Sequence, residues 1–445
     1  MRFVQITPGA GGMYCGNCLR DNAMVAELRR RGHETLMIPL YLPLTLDETD
    51  QSLGTPIFFG GINVYLEQKS VLFRRAPRFL HRWLDSRRLL RWAAGRAART
   101  RAADVGDLTV SMLRGEQGHQ ARELGELIGW FKEQARPDVI CLSNVLLAGL
   151  ARRLKAELGS LVICNLQGED YFLDQLPSPH REAAWALLTE RAAEIDCFIA
   201  PSEYFGELMG RRLKLPRERV RVVANGINLE GFEPAEVLAG RARPVLGYFA
   251  RMCPEKGLDL LVEAFLLLKR RPATQALRLR VGGSCSGTDV AFVAGLRRRL
   301  DSAGVSDDVE FHPNVDRGAK LALLKSFSVF SVPAHYGEAF GLYLLEAWAT
   351  GLPVVQPRTA AFPELIEMTG GGLLVEPRDA ATLAAGIEAL ILDPDRARRL
   401  GEAGRSAVLA EFSDRRMVDR MIAALEGAYA GHGLSLATAR SDVRV

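Results

Sequence analysis

At 445 residues the chain is too long for one ordinary hydrophobic core, so its length predicts two or three domains. The composition is 48% hydrophobic and 25% charged with a net charge of only +4, which is typical of a globular protein and gives no reason to expect a nucleic-acid partner. No apolar run approaches the ~18 residues that a membrane span needs, and no leader peptide is visible. Seven scattered cysteines suit reduced thiols. We therefore expect a cytoplasmic protein.

Short apolar runs alternate with amphipathic stretches along the whole chain, which is the pattern of doubly wound parallel sheets. In the first half this pattern predicts strands at residues 2–7, 34–39, 138–142, 161–166, 197–201 and 220–228. In the second half it predicts strands within residues 244–250, 277–283, 308–314, 327–333, 352–357 and 371–377. The fold class predicted is α/β.

Residues 229–244 contain acidic residues, Gly and Pro without a clear period, which indicates a linker. We expect an N-terminal Rossmann-like domain at residues 1–236, with a helical basic insertion at about 70–130. A C-terminal Rossmann-like domain is expected at 237–413, with the helix of residues 414–445 packing back on the first domain. Two such domains would face a central cleft with the carboxyl ends of both sheets.

The stretch at residues 73–101 interrupts the alternation with ten arginines against one aspartate, interleaved with Phe, Leu and Trp. A basic amphipathic helix of this kind can lie on an anionic bilayer surface. The favoured interpretation is an insertion whose arginines are solvated or face an anionic acceptor, since charge runs are usually solvated faces. Peripheral contact with the inner face of a membrane stays open.

The segment HYGEAFGLYLLEAWATGLPVVQP, residues 335–357, carries the strongest chemical signal. A helix is predicted to begin near Ala339 or Phe340, with Glu338 at its mouth and Glu346 about two turns in. Gly341 inside that helix would cost ~1 kcal/mol relative to Ala, so it predicts close approach by a ligand. Unpaired amides at a helix start favour an anion, and two carboxylates accept hydrogen bonds from sugar hydroxyls. A cap is the plain alternative for Glu338 alone.

This segment resembles the Glu-x7-Glu signature of the family-4 retaining glycosyltransferases. GYFARMCPEKGLDLLVEAF, at residues 247–265, is similar to the Arg-x4-Lys element of the same family. VVANGIN, at residues 222–228, resembles the segment before the interdomain linker, with Asn228 in place of the usual Asp. The similarity is continuous from about residue 200 to 429. It implies the GT-B fold, with two Rossmann-like doubly wound parallel-sheet domains facing a central cleft. In that fold the domain at 1–236 would bind the acceptor and the domain at 237–413 would bind the nucleotide-sugar donor.

The resemblance implies a retaining hexosyltransferase that moves a sugar from a nucleoside-diphosphate sugar, of the UDP, ADP or GDP type, to a hydroxyl acceptor. Glu346 would hold the ribose hydroxyls, and Glu338 would contact the donor sugar near the reacting carbon. Arg251 and Lys256 would neutralise the departing diphosphate, whose charge develops in the transition state. The backbone lining the sugar and diphosphate would come from Ala339, Phe340 and Gly341.

No cofactor or metal is expected, because family members of this kind generally need none and no Asp-x-Asp element stands on a predicted strand end. The donor's own phosphate oxygen is commonly proposed as the base in such enzymes, so no dedicated protein base is required.

The first domain carries a weaker resemblance, in GGMYCGNCLRDNAMVAELRRRGHETLMI at residues 11–38. It implies that Gly11 and Gly12 bring backbone amides close to the donor phosphate or the acceptor. Cys15 and Cys18 then fall at a loop–helix junction, three residues apart. No second Cys or His pair appears at zinc-finger spacing. Packing or acceptor contact is the favoured role of the two thiols, while a regulatory disulfide stays open.

The acceptor side departs from the pattern of the family. Many relatives carry a histidine on a first-domain strand end, where this chain has Asn144 and Gln167 nearby as substitute hydrogen-bond donors. The acceptor therefore stays open among a glycan, a polyol phosphate and a lipid-linked saccharide. The alternative functions are a GT-B epimerase or phosphorylase, and a non-catalytic nucleotide-sugar sensor that responds to redox state through Cys15 and Cys18.

Overall fold

The computed structural model describes residues 1–9, 15–59, 105–134, 136–234 and 243–431. Its contacts divide the chain into two units, Met1–Ala224 with Met417–Val445, and Asn225–Arg416. The first unit thus ends before the predicted linker. The reason is local hydrogen bonding, since the Ile227 N–H donates to the Phe412 carbonyl at 3.0 Å and the Asp414 N–H donates to the Ile227 carbonyl at 2.9 Å.

The first unit contains a parallel sheet of six strands in the order β2-β1-β3-β4-β5-β6. Its inner strands are short apolar runs buried along their whole length, as a sheet covered by helices on both faces requires. The strands are β1 (Arg2–Thr7), β2 (Glu34–Pro39), β3 (Val139–Leu142), β4 (Leu161–Asn165), β5 (Cys197–Ala200) and β6 (Val220–Val222). The helices are α1 (Gly16–Arg30), α2 (Gly106–Arg114), α3 (Ala121–Glu133), α4 (Ala151–Leu158), α5 (Glu169–Asp174), α6 (His180–Arg191) and α7 (Glu203–Arg212).

The second unit contains another six-stranded parallel sheet, in the order β12-β11-β10-β7-β8-β9. Its strands are β7 (Val245–Phe249), β8 (Arg278–Gly283), β9 (Val309–Pro313), β10 (Val329–Phe330), β11 (Val354–Pro357) and β12 (Gly372–Val375). Its helices are α8 (Leu258–Lys269), α9 (Val290–Ser302), α10 (Arg317–Lys325), α11 (Leu342–Ala349), α12 (Phe362–Thr369), α13 (Ala380–Ile391) and α14 (Pro394–Glu411). The predicted α/β class and the two doubly wound sheets are confirmed.

Every predicted strand forms, but two are much shorter than predicted. The run at 220–228 is a strand only over Val220–Val222. The last bond to the sheet comes from the Val223 N–H to the Ala200 carbonyl, and by Ile227 the chain bonds to residues 412–414 instead. The run at 327–333 is a strand only over Val329–Phe330, at the centre of the second sheet.

A last helix, α15 (Asp414–Gly431), belongs to the core of the first unit from Met417 onward. It contributes four side chains, each at most 1% exposed, to a cluster built on strands β1, β3, β4 and β5 and on helix α1. The four are Met417, Val418, Met421 and Leu425. The first unit is therefore discontinuous in sequence.

Candidate active site

The second sheet reverses its strand order between β7 and β10, which are hydrogen-bonded neighbours. In doubly wound folds this reversal opens a crevice at the carboxyl ends of the two strands, and ligands bind there. The loop after β7 carries Arg251 and Lys256, and the loop after β10 carries Glu338. The topology alone therefore brings these two loops, which lie more than seventy residues apart in sequence, to one place.

The two loops touch through their backbones. Gly257 has a φ of +70°, and a Cβ at that position would lie 1.9 Å from the Pro333 carbonyl oxygen. Only glycine fits this approach, both for its left-handed dihedral and for lack of space. Two residues away, the His335 N–H donates to the Glu255 carbonyl at 2.9 Å. These contacts fix the position of Lys256.

Lys256 and Glu338 form an ion pair within a cluster that includes two tyrosines. The Lys256 Nζ lies 2.5 Å from a Glu338 carboxylate oxygen and donates to the Tyr336 hydroxyl at 2.6 Å. The hydroxyls of Tyr336 and Tyr343 donate to Glu338 at 3.1 and 3.0 Å. The Lys256 and Glu338 side chains are 19% and 12% exposed, so solvent screens their attraction only weakly.

The Glu338 charge governs the protonation of this cluster. Burial by itself lowers the Lys256 pKa, but the Glu338 charge and the hydrogen bonds to Glu338 and Tyr336 raise that pKa well above its ordinary value. Burial raises the pKa of both Tyr336 and Tyr343, and the Glu338 charge adds to the rise. At neutral pH the cluster therefore holds a cationic lysine and two neutral phenols.

Arg251 pairs with Asp289 rather than with a glutamate of the motif. Its Nε and Nη2 lie 3.1 and 3.0 Å from the two carboxylate oxygens of Asp289, and Nη2 also donates to the Thr288 hydroxyl at 3.2 Å. Burial by itself lowers the Arg251 pKa, but the Asp289 carboxylate raises it above its ordinary value. The guanidinium is thus oriented by two bonds while 43% of the side chain stays exposed.

Glu346 has a partner of its own. Its carboxylate lies 2.8 Å from the Nζ of Lys320 on α10, and the two side chains are 16% and 6% exposed. The motif charges are therefore distributed over three pairs, Lys256–Glu338, Arg251–Asp289 and Lys320–Glu346. Each charged side chain is held by a carboxylate or ammonium before any ligand arrives.

The helix after Glu338 begins later than predicted. It starts at Leu342 instead of near Ala339 or Phe340, so Glu346 lies about one turn into the helix and not two. Ala339 and Phe340 belong to the preceding loop and are 4% and 3% exposed. No acidic residue occupies the first turn of α11, so the positive end of its dipole faces no carboxylate of its own.

Gly341 lies before the helix and not inside it. Its φ is +99°, in the left-handed region that glycine adopts without steric cost. A Cβ there would meet only ordinary contacts, the nearest at 3.4 Å on the Phe362 ring. The backbone dihedral explains this glycine, so the prediction that Gly341 lies inside the helix was wrong, while its contact with a donor stays a prediction.

In the first unit, one buried carboxylate joins the two candidate acceptor residues. The Asn144 side-chain oxygen accepts a backbone N–H and caps the 3₁₀ turn Val145–Leu150. Glu169 accepts from the Val145 N–H at 3.0 Å and from the Gln167 N–H at 2.8 Å, so it ties the loop after β3 to the loop after β4. Burial raises the Glu169 pKa to about 7, against the backbone N–H groups that lower it.

Sequence reasoning missed five residues of these clusters: Tyr336, Tyr343, Asp289, Lys320 and Glu169. The two tyrosines stand inside the quoted 335–357 segment, where a hydroxyl beside Glu338 was a readable signal. The other three act through partners on different elements, and a single sequence holds no mark of such pairs.

Some predictions fall outside what the structure describes. Gly11, Gly12 and the basic stretch at 73–101 lie outside the described residues, so their roles stay predictions. Among the side chains that are described, no three or more His, Cys, Asp or Glu gather as metal ligands. In the same part of the chain no helix has the length and apolar character to cross a membrane.

Both units match known protein families. Residues 232–407 match the family model of glycosyl transferases group 1, and residues 22–226 match that of the glycosyl transferase 4-like domain. The D-inositol 3-phosphate glycosyltransferase of Nocardia farcinica (strain IFM 10152) is 30% identical over 216 residues, covering 47% of this chain and 48% of that protein. The chain spans about half the length of the curated relatives it matches.

Two solved structures share the fold over nearly the whole chain. Sucrose-phosphate synthase from Thermosynechococcus elongatus has a TM-score of 0.68 at 19% identity, covering 97% of this chain and 99% of that one. Anabaena HepE in complex with UDP-glucose has a TM-score of 0.66 at 16% identity, covering 96% and 99%. At these identities the likeness shows the fold.

Proposed function

Because the chain belongs to the family-4 GT-B glycosyltransferases, we propose that it transfers a sugar from a nucleoside-diphosphate sugar to a hydroxyl acceptor, with retention of configuration and without a metal. The observation that carries this proposal is the Lys256–Glu338 pair at the switch point of the second sheet. Doubly wound folds bind nucleotides at that point.

The donor diphosphate is bound by cations and helix amides. Lys256 remains protonated at neutral pH because its pKa is raised, and Arg251 is oriented by Asp289. The amides at the start of α11 add a partial positive charge, and the first turn of that helix contains no acidic residue. The leaving diphosphate gains charge as the sugar departs, so these groups stabilise the transition state more than the bound donor.

Two carboxylates recognise the hydroxyls of the donor. Glu338 lies in the loop after β10 beside two phenols, and it accepts hydrogen bonds from the sugar near the reacting carbon. Glu346 accepts from the ribose hydroxyls, and Lys320 holds its carboxylate in place.

In the retaining reaction the bond between the sugar and the phosphate breaks while the acceptor oxygen attacks from the same face. The leaving phosphate oxygen takes the proton of the acceptor hydroxyl, so the reaction needs no protein base. Asn144 and Gln167 supply hydrogen bonds on the acceptor side. Glu169 sets their relative position through the loops that carry them.

A polyol phosphate is the acceptor class that we favour. The support is the set of curated relatives described as D-inositol 3-phosphate glycosyltransferases. A glycan and a lipid-linked saccharide are the two other outcomes of an acceptor screen.

The first test is thermal unfolding of the protein with a panel of UDP, ADP, GDP and their sugars. A nucleotide at ~100 times its Kd stabilises the native state by about 2.7 kcal/mol, which raises the Tm by a few degrees. We expect one nucleotide class to raise the Tm of the wild type and of Glu388→Ala, but not that of Glu346→Ala. Glu388 is the matched control. It forms an ion pair with Arg271 in the same unit, just as Glu346 forms one with Lys320.

A panel that leaves the wild-type Tm unchanged contradicts the donor proposal. If one donor binds, product formation is followed with inositol phosphates, glycans and lipid-linked saccharides in turn. The anomeric configuration of the product, measured by NMR, tests retention. Full activity in excess EDTA tests metal independence, and loss of activity that added Mg²⁺ restores contradicts it.

A further inference from the structure

Cys15 and Cys18 stand at the switch point of the first sheet, and neither thiol has a role in the proposed transfer chemistry. The order of that sheet reverses between β1 and β3, and α1 follows β1. Cys15 is the residue immediately before α1, with extended dihedrals of φ −124° and ψ 123°. Its carbonyl accepts the first helical hydrogen bond, from the Leu19 N–H at 3.0 Å. Cys18 lies in the first turn of the same helix.

The two thiols are neighbours but differ in exposure. Cys15 immediately precedes the helix and Cys18 lies in its first turn, where a hydrogen bond between the two thiols holds them close enough for a short adjustment to bring them to disulfide distance. Cys18 is buried at 2% exposure, whereas Cys15 is only partly buried. An incoming reagent therefore reaches the Cys15 thiol first, while the Cys18 thiol is shielded from solvent.

The electrostatics of the pair follow the same asymmetry. The interaction with the Cys18 thiol and the amides of Asn17 and Cys18 lower the Cys15 pKa to about 7, against burial and the nearby Asp21 charge. The same thiol interaction and burial raise the Cys18 pKa well above its ordinary value. Asp21 is itself tied to Arg20 and to the hydroxyls of Thr7 and Ser143.

The other cysteines differ from this pair. Four of them are buried, and burial raises their pKa values: Cys141, Cys164, Cys197 and Cys253. Cys285 is partly exposed like Cys15, but burial and the Asp289 charge raise its pKa. It is therefore the matched control.

We propose that Cys15 and Cys18 form a dithiol site that exchanges with low-molecular-weight disulfides and closes to an intramolecular disulfide. The Cys15 thiolate attacks one sulfur of the reagent and forms a mixed disulfide, and the other half leaves as a thiol. Cys18 then attacks the Cys15 sulfur, releases the second half as a thiol, and closes the protein disulfide. Two protein thiols are oxidised and one disulfide is reduced to two thiols, which carry away both protons.

The experiment titrates the full chain with oxidised and reduced glutathione and follows intact mass and peptide maps. We expect the wild type to lose two hydrogens and to carry a Cys15–Cys18 bond. Cys18→Ser traps glutathione on Cys15, because no second thiol resolves the adduct. Cys285→Ser behaves as the wild type, and Cys15→Ser forms no internal disulfide.

A second readout is alkylation by iodoacetamide across pH. The Cys15 rate should rise with a midpoint near pH 7. At pH 7 it should exceed the Cys285 rate roughly tenfold, because its larger thiolate fraction outweighs its lower intrinsic nucleophilicity. The proposal is overturned if wild-type Cys15 and Cys18 stay reduced in excess oxidised glutathione, or if Cys15 and Cys285 alkylate at equal rates. Both readouts are independent of sugar transfer.

Discussion

Lys256 and Glu338 are paired in a cluster where both side chains are mostly buried, so replacing one affects the other. In the free protein the lysine balances a carboxylate, and in our proposal it also faces the diphosphate when the donor is bound. A single cation thus serves ground-state stability and, in our proposal, leaving-group stabilisation. The effect of a substitution at Lys256 therefore has to be measured on both the stability of the protein and the kinetics of transfer.

We expect Lys256→Met to lower kcat/KM for transfer by about 10²–10³-fold, the loss seen when one preorganised donor to developing charge is removed. Lys269→Met is the control, because Lys269 is also a largely buried lysine, paired with Asp308 in the same unit, but lies outside the cluster. Steady-state kinetics and thermal unfolding of both variants check the prediction. Equal losses of kcat/KM in the two variants would refute the proposal that Lys256 stabilises the leaving diphosphate.

Glu169 should make stability depend on pH. Burial raises its pKa from 4.5 to about 7 in the folded chain, so between those values the folded state keeps a proton that the unfolded state has lost. Its contribution to the free energy of unfolding therefore falls as the pH rises from about 4.5 to 7, and is flat above. Urea unfolding at several pH values measures this effect. Between about pH 4.5 and 7 the free energy of unfolding should fall less for Glu169→Gln than for the wild type.

The control for that measurement is Glu190→Gln, which changes an exposed glutamate of the same unit. Its pH profile should follow the wild type. If Glu169→Gln also follows the wild type, the buried carboxylate does not titrate in this range.

Candidate residues were predictable from the sequence where a family motif names them. Glu338 and Lys256 were both selected from such motifs and lie in contact in the structure, while the roles assigned to them stay predictions. Their pairing was not readable, because it depends on two loops that the strand order brings together. Nothing in the sequence around Lys320 indicated a role, because it looks like any other helix lysine. Only the fold shows that its Nζ contacts the Glu346 carboxylate.

At the scale of elements, the loop after β7 depends on one glycine. A side chain at Gly257 would combine a left-handed dihedral with a Cβ 1.9 Å from the Pro333 carbonyl oxygen. We expect Gly257→Ala to lower the free energy of unfolding by more than the ~1–2 kcal/mol that the dihedral alone costs. Donor binding should weaken as well, because Lys256 is the adjacent residue.

The control is Gly351→Ala, which has a similar φ of +77° but no atom within 4 Å of the added Cβ. It measures the dihedral cost without the clash. Denaturant unfolding and nucleotide titration of both variants separate the two effects. Equal destabilisation would mean that the two loops are free to move apart.

Elements were predicted well in kind and less well at their ends. All strands of both sheets were found because buried parallel strands are short apolar runs. The start of α11 was misplaced because Ala339, Phe340 and Gly341 fit a helix by composition, while the φ of +99° at Gly341 delays it to Leu342. Such a dihedral is set by the surrounding loop. It does not change the spacing of apolar residues, from which helix ends are predicted.

At the scale of the whole molecule, α15 is the segment through which the chain returns to its first sheet. Met421 on this helix is 0% exposed within the core of the first unit. We expect Met421→Ala to cost about 2–5 kcal/mol, the range for emptying a buried Met site. Glu426→Ala, at an exposed position of the same helix, should change stability little.

Urea unfolding followed by circular dichroism measures both variants. If Met421→Ala lowers the free energy of unfolding only slightly, then α15 contributes little to the stability of the core of the first unit.

The return of α15 has a consequence for how the protein is made. The first sheet leaves the ribosome early, yet four of its core side chains are encoded after the 192 residues of Asn225–Arg416. At about 5–20 residues per second that interval lasts roughly 10–40 s. During it the nascent first unit exposes the apolar surface that α15 later covers, which makes it a client for chaperones. Synonymous codons that slow translation of the second unit should therefore lower the soluble yield without changing a single amino acid.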